Sequence, residues 1–210
     1  MDILSFLQQT LGQDQSGHDS AHAMRVLSFA RTIQAKEGGD LPYLEGCALL
    51  HDCLDSKLGF DNQKQVQLVR DCLLENGYEE EKADRMVSTM MRMSYHLPDE
   101  KDLTLEDKII RDADRLDALG RVGAERAIAY GKSKGRPLIS EENRLQIQKG
   151  EVPTGSSTIA HFFDKLLILD RSLYTDTAKE MAIPLKKELI EALSEIYEQE
   201  GLVLDLHHLD

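Results

Sequence analysis

His51 and Asp52 stand side by side at the end of an apolar run, Ala48-Leu49-Leu50, and Leu44, Cys47, Ala48 and His51 recur at i, i+3, i+4 and i+7. On a helix that spacing puts the imidazole on the stripe that faces the core. An imidazole and a carboxylate beside an apolar face are costly to bury unpaired. Two arrangements meet that cost. One is a core histidine satisfied by a neighbouring aspartate. The other is a metal site, because neutral imidazole nitrogen and carboxylate oxygen both coordinate divalent cations. Upstream, His18 and His22 are separated by one helical turn with Asp19 between them, so they point the same way and can share one site. His22 lies one turn before Val26, on a line that continues through Phe29 and Ile33. Downstream, a helix through Ile109 to Gly120 places Ile110, Asp114 and Asp117 on one face and Arg111 and Arg115 in another row. A surface helix laced with ion pairs accounts for the two arginines. It accounts poorly for Asp114, which is in line with apolar residues.

The elements that must position these groups read as helices throughout. Periodicity and end signals predict helices over 3–12, 19–36, a segment opened by Asp40-Leu41-Pro42 that carries His51 and Asp52, then 62–76, 79–94 and 104–119. Further helices are predicted from Val122 to Tyr130, over 157–170 and over 175–200. No stretch alternates as a sheet strand does, so the expected fold is all-α. Met86, Met90, Met91 and Met93 read as adaptable core filling. Residues 139–157 read as an irregular polar insertion. The expected organisation is one helical domain over 1–210, its core at about 16–130, followed by a basic loop and C-terminal helices over 131–200.

That loop, Gly131-Lys132-Ser133-Lys134-Gly135-Arg136-Pro137, is basic in an acidic protein. It is either a solvated turn or a phosphate-contacting segment, since backbone N–H groups and Lys or Arg suit phosphate oxygens. His161 and Lys165 follow, one turn apart on their own helix.

Composition sets the outer limits. Of 210 residues 41% are hydrophobic but only 5% aromatic, with no Trp, so the core must be mostly aliphatic. The formal net charge of −13 argues against a nucleic-acid polymer as partner. It leaves room for a small phosphorylated substrate held by local cations. Cys47, Cys53 and Cys72 are odd in number and lack paired ligand spacing, so neither a disulfide framework nor a zinc knuckle is expected. Met1-Asp2-Ile3-Leu4-Ser5 lacks the basic start of a signal peptide, and no apolar run reaches membrane-spanning length, which makes a cytoplasmic protein with no membrane partner the expectation.

Packed helices can bring His22, His51, Asp52 and Asp114 to one point. Two imidazoles and two carboxylates leave coordination positions open and suit Mn²⁺, Fe²⁺, Co²⁺, Ni²⁺ or Zn²⁺, with Mg²⁺ also admitted, rather than a closed structural site.

The ordered pattern His22-x-x-Arg25-Val26, Leu49-Leu50-His51-Asp52-x-x-Asp55-x-Lys57 and Arg111-Asp112-Ala113-Asp114-Arg115-Leu116-Asp117-Ala118-Leu119-Gly120 resembles the HD-domain metal-dependent phosphohydrolases. Within them it is similar to the stand-alone bacterial YedJ/YpgQ-like group. Gly135-Arg136-Pro137 and Ala160-His161-Phe162-x-x-Lys165-Leu166-Leu167 extend the match, which covers about residues 16 to 200. The resemblance implies that His22, His51, Asp52 and Asp114 are the metal ligands. It implies that Asp52 and Asp55 orient the attacking water and that Lys57 neutralises phosphate charge. His18 and His96 are implied at the substrate phosphate or at a second metal, and Asp117 near the sugar or in the shell behind the ligands, where the (p)ppGpp-hydrolysing branch has Asn. Lys132, Arg136, His161 and Lys165 are the other expected substrate contacts, and Tyr95, Tyr130 and Phe162 the aromatic candidates for base stacking. The adjacent His-His pair of the cyclic di-nucleotide branch is missing. The implied activity is hydrolysis of a phosphate ester or anhydride of a nucleotide, including pyrophosphohydrolysis of nucleoside triphosphates. A regulatory module that binds nucleotide and metal without turnover is the competing expectation, and a homodimer is admitted.

Overall fold

Asp40 and Pro42 start a helix by local chemistry alone. The Asp40 carboxylate accepts from the Tyr43 backbone N–H at 3.1 Å, and Pro42, with no N–H to satisfy, sits in the first turn. Ser140, Ser157 and Thr175 cap three later helices in the same way, their hydroxyls accepting from Asn143, Ala160 and Ala178. The computed structural model describes residues 1–11, 20–54, 62–93, 102–205 and 207. Among the described residues every regular element is helical, as the periodicity predicts. These elements are α1 (Ile3–Leu11), α2 (Ser20–Glu37), α3 (Leu41–Leu50), a 3-10 turn (His51–Leu54), α4 (Asn62–Glu75), α5 (Glu80–Met91) and α6 (Leu105–Asp117). They continue as α7 (Gly120–Ser133), α8 (Glu141–Gln148), α9 (Thr158–Asp164), a 3-10 segment (Leu166–Ser172) and α10 (Asp176–Gln199).

The described residues fall into two compact units, divided between Asp114 and Arg115. In the first, α2 packs along α3, and α5 flanks α3 and α4. Its core is aliphatic, with Val26, Ile33, Leu44, Leu50, Leu73, Met86, Ile109 and Ile110 fully buried. All three cysteines are buried and free, small apolar groups in effect. In the second unit α7 lies against α10, and α9 against the 3-10 segment. Phe162, Leu119, Ile159, Leu189 and Leu193 fill that core. With no exposure left, Phe162 is a core residue and is not available for stacking on a base.

Further local expectations need correction, among them the single helix over 157–170: α9 stops at Asp164, Lys165 lies past its end, and a 3-10 segment follows from Leu166. His51 and Asp52 do not lie in α3 but in the 3-10 turn that follows it. The basic segment is not all loop: α7 runs through Lys132 and Ser133, passing so close to α9 that a Cβ on Gly131 would run into the Thr158 hydroxyl. The polar stretch 139–157 contains α8. It is held shut by Asn143, which is fully buried, donates to Gln146 Oε1 at 2.9 Å and the Thr154 carbonyl at 2.8 Å, and accepts from Ser140 Oγ and Ser157 Oγ. Finally, Arg111 and Arg115 are buried, not on a surface row. Arg111 Nη2 donates to the Arg92 carbonyl at 2.8 Å, and Arg115 Nη1 donates to the Ser172 carbonyl. A guanidinium directs its charge at backbone oxygens in both cases, which charge counting along a helix does not reveal.

Candidate metal centre

Three helical elements of the first unit each aim a chemical group at one point. α2 brings His22, on the same buried line as Val26 and Ile33. The 3-10 turn after α3 brings His51 and Asp52, which are 6% and 5% exposed. α6 brings Asp114, whose side chain keeps 37% of its surface open. His22 Nε2 lies 3.1 Å from His51 Nε2, 3.3 Å from Asp52 Oδ2 and 3.4 Å from Asp114 Oδ1. His51 Nε2 lies 3.4 Å from Asp52 Oδ1 and 3.8 Å from Asp114 Oδ1.

The far side of the His51 ring fixes what its near side can do. Nδ1 is 2.9 Å from the Ala48 carbonyl and so carries the proton that it donates there. In the neutral ring Nε2 then presents a lone pair to the cluster. The rings of His22 and His51 meet edge to face at 69°. Burial pushes the Asp114 pKa up, but the hydrogen bond to His22 and the attraction that His51 and His22 exert when protonated outweigh it, and Asp52 adds a smaller upward push. The net effect holds that carboxyl well below the usual carboxylate range.

This donor set fits a cation. Metal–nitrogen and metal–oxygen bonds of about 2.1 Å put neighbouring donors about 3.0 Å apart at a right angle and about 3.4 Å apart at the tetrahedral angle. The separations of the two imidazole nitrogens from each other and from the carboxylate oxygens run from 3.1 to 3.8 Å. His22, His51 and Asp114 each offer a ligand atom within 4.8 Å of the others, and Asp52 reaches both imidazoles with its two oxygens.

The remaining expected site residues are placed less simply. Asp55, Lys57, His18, His96 and Tyr95 lie outside the described residues. In the second unit, Asp117 is buried and its Oδ2 accepts from Arg126 Nη1 at 2.6 Å. Arg136 and Lys134 lie over the Tyr130 ring at 5.6 Å and 5.5 Å. His161 Nδ1 is 3.1 Å from Asp164 Oδ1. Burial, with help from the Lys165 and Arg136 charges, lowers the His161 pKa despite the opposing Asp164. The imidazole is therefore chiefly neutral near pH 7.

Sequence reasoning passed over a buried polar chain behind the cluster. Tyr43 Oη is 2.8 Å from Thr89 Oγ1, which donates to Asp107 Oδ1 at 2.5 Å. Asp107 had a signal in the sequence, since Thr104-x-x-Asp107 is a capping pattern. Thr89 had none.

An all-helical protein with a mixed histidine and carboxylate cluster of cation-binding geometry is the class that fold and site define. Comparison with known proteins narrows it. The HD domain model matches residues 20–119. The uncharacterized protein YpgQ of Bacillus subtilis (strain 168) is 39% identical over 184 residues, covering 86% of this chain and 83% of that protein. The crystal structure of Bacillus subtilis YpgQ in complex with ADP aligns with a TM-score of 0.73 at 32% identity, over 94% of this chain and 95% of that one. An HD-superfamily hydrolase from Bacillus thuringiensis aligns with a TM-score of 0.71 at 30% identity, over 95% of both chains. This chain belongs to the HD domain family.

Proposed function

We propose that this protein is a metal-dependent phosphohydrolase that cleaves a phosphate ester or anhydride of a nucleotide, with nucleoside triphosphates split at pyrophosphate as one form of that activity. The observation that carries the reading is the convergence of two imidazole nitrogens and two carboxylates at 3.1–3.8 Å in the first unit. Similarity to an HD-superfamily hydrolase and to a protein crystallised with ADP supports it.

His22, His51, Asp52 and Asp114 would hold the ion, Mn²⁺ first among the candidates and Ni²⁺, Co²⁺, Fe²⁺, Zn²⁺ and Mg²⁺ after it. A divalent ion bound there supplies a Lewis acid for a phosphoryl oxygen and lowers the pKa of water. The His51–Ala48 hydrogen bond keeps one nitrogen committed and the other available. Asp52 spreads its two oxygens between His22 and His51, which fixes the carboxylate's plane and lets it also orient the attacking water. Asp55 would share that work as acid or base, Lys57 would offset phosphate charge, and His18 and His96 would contact the phosphate.

The direct test is a screen of nucleoside mono-, di- and triphosphates with Mn²⁺, Co²⁺, Ni²⁺ and Mg²⁺ in parallel. Release of phosphate or pyrophosphate with at least one ion, abolished by a chelator, is expected. Metal-dependent nucleotide binding with no product from any of them would replace the enzyme by a regulatory module.

For the second unit the proposal is that Lys132, Arg136 and Lys165 supply charge, and His161 a hydrogen bond, to the substrate's phosphates. Replacing Lys132, Lys134 and Arg136 together by Ala is expected to raise KM on the order of tenfold. One lost charge-assisted hydrogen bond costs about 1.5–3 kcal/mol, and about 1.4 kcal/mol is a factor of ten. Steady-state kinetics decides, and an unchanged KM makes the segment a solvated turn.

A further inference from the structure

The buried chain Tyr43–Thr89–Asp107 joins the three helices α3, α5 and α6 at one level. Its hydrogens can be placed. Thr89 has a single hydroxyl hydrogen, and it goes to Asp107 Oδ1. Tyr43 must then be the donor to Thr89 Oγ1. Burial pushes the Tyr43 phenol up to about 12, so it keeps its proton at any ordinary pH. The second Asp107 oxygen is also engaged: Oδ2 accepts from the Thr104 N–H at 3.1 Å, while Thr104 Oγ1 accepts from the Asp107 N–H at 3.2 Å. Asp107 therefore closes the N-terminal cap of α6 with one oxygen and ties α6 to α5 and α3 with the other. All three side chains are at most 4% exposed.

This level stands at a fixed distance behind the metal centre on α6, which carries Asp114, and on α3, which leads into the turn that carries His51 and Asp52. Asp107 and Asp114 are seven residues apart on α6, about 10.5 Å along the axis and on the same face. Tyr43 and His51 are eight residues apart along α3 and its end, about 12 Å. Both helices run from the lock toward the donor cluster. A packed aliphatic interface resists separation of two helices but resists sliding and rotation less, because apolar contact is non-directional. Hydrogen bonds of fixed length and direction supply that register. Arg111, one turn before Asp114 and bonded to the carbonyl that ends α5, pins the same helix nearer the site.

Resting on the metal-centre reading above, we infer that Tyr43, Thr89 and Asp107 are positioning residues that set α6 in register with α3 and so hold Asp114 at ligating distance from His51 and Asp52. A donor set works when its members are held to within about 0.5 Å, a tolerance that side-chain packing alone does not guarantee.

The test uses Mn²⁺ titration of the full chain by calorimetry, beside urea unfolding of the same samples without metal. Thr89→Val keeps the shape and removes the hydroxyl. It is expected to raise the Mn²⁺ Kd about tenfold or more, the scale seen when groups that orient metal ligands are lost. Thr89→Ser restores the hydroxyl and should return the Kd to within about threefold of wild type. A merely structural role lowers the urea midpoint of Thr89→Val and leaves its Kd where it was, and that result overturns the inference. If Thr89→Val does not fold, Tyr43→Phe carries the test: it spares the Thr89–Asp107 bond, a raised Kd supports the inference and an unchanged one overturns it. Wild-type protein that binds no divalent ion overturns the metal centre itself and this inference with it, whereas equal Kd values in wild type and variant overturn this inference alone.

Discussion

Asp52→Ala is expected to lower metal-dependent phosphate or pyrophosphate release on the order of a thousandfold or more, while leaving helical content and the urea midpoint close to wild type. The two halves of that result come from the same geometry. Among the described residues, Asp52 is the one carboxylate that reaches both imidazoles with separate oxygens, Oδ2 at 3.3 Å from His22 and Oδ1 at 3.4 Å from His51. On the proposed reading, losing it removes a ligand and the group that orients the nucleophile together, so the effects compound rather than add. Stability moves little because Asp52 is a poor structural residue without a cation. It is buried, and its charge pushes the Asp114 pKa upward, so the two carboxylates repel. Removing one relieves that repulsion, which offsets the loss of its attraction to the two imidazoles, as is common where a site is built for binding rather than stability. Asp52→Asn, which keeps the volume and loses the charge, should be almost as inactive. Phosphate release and circular dichroism on the same preparations check both halves. Undiminished turnover in Asp52→Ala would remove the cluster from the chemistry.

The convergence of His22, His51 and Asp114 was legible in the sequence because each shares a line with apolar residues, with Asp52 next to His51. His22 sits one turn from Val26, and His51 follows Leu44, Cys47 and Ala48 at helical spacing, so periodicity alone aims them inward. Helix starts were legible for the same local reason: Asp40 and Pro42 act within one turn. What the sequence hid depends on partners far along the chain. Arg111 reads as a surface charge until the Arg92 carbonyl is placed beside it, and Asn143 reads as loop composition until Ser157 and Thr154 close around it. Thr89 is an ordinary residue of an amphipathic helix except that Tyr43 and Asp107 flank its hydroxyl, from 46 residues before it and 18 after. Each of these is a polar group satisfied at long range, and no local pattern encodes a long-range partner.

The glycines at the α6–α7 corner show the same limit in a form that stability measurements can read. Gly120 looks like the important one: it ends the Asp114 motif and takes a φ of +70°, where an L side chain is strained. Its added Cβ would meet only the flexible side chains of Glu188 and Leu185, at 3.1 Å and 3.2 Å, so Gly120→Ala is expected to cost about 1 kcal/mol. Gly123 has no positive φ and reads as one more small residue of α7. Yet its Cβ would drive into the backbone carbonyl of Ala118, in a turn already fixed by Ala118 N–H to the Arg115 carbonyl at 3.1 Å and Leu119 N–H to the Leu116 carbonyl at 3.0 Å. Backbone held at both ends cannot step aside as a side chain does. Gly123→Ala should therefore cost about 3 kcal/mol, and Tm should fall roughly 6–12 °C for a chain of this size. The order of the two variants is the discriminating result. If thermal melts place Gly123→Ala above Gly120→Ala, strain at φ governs the corner, and the close approach of α7 to Ala118 does not.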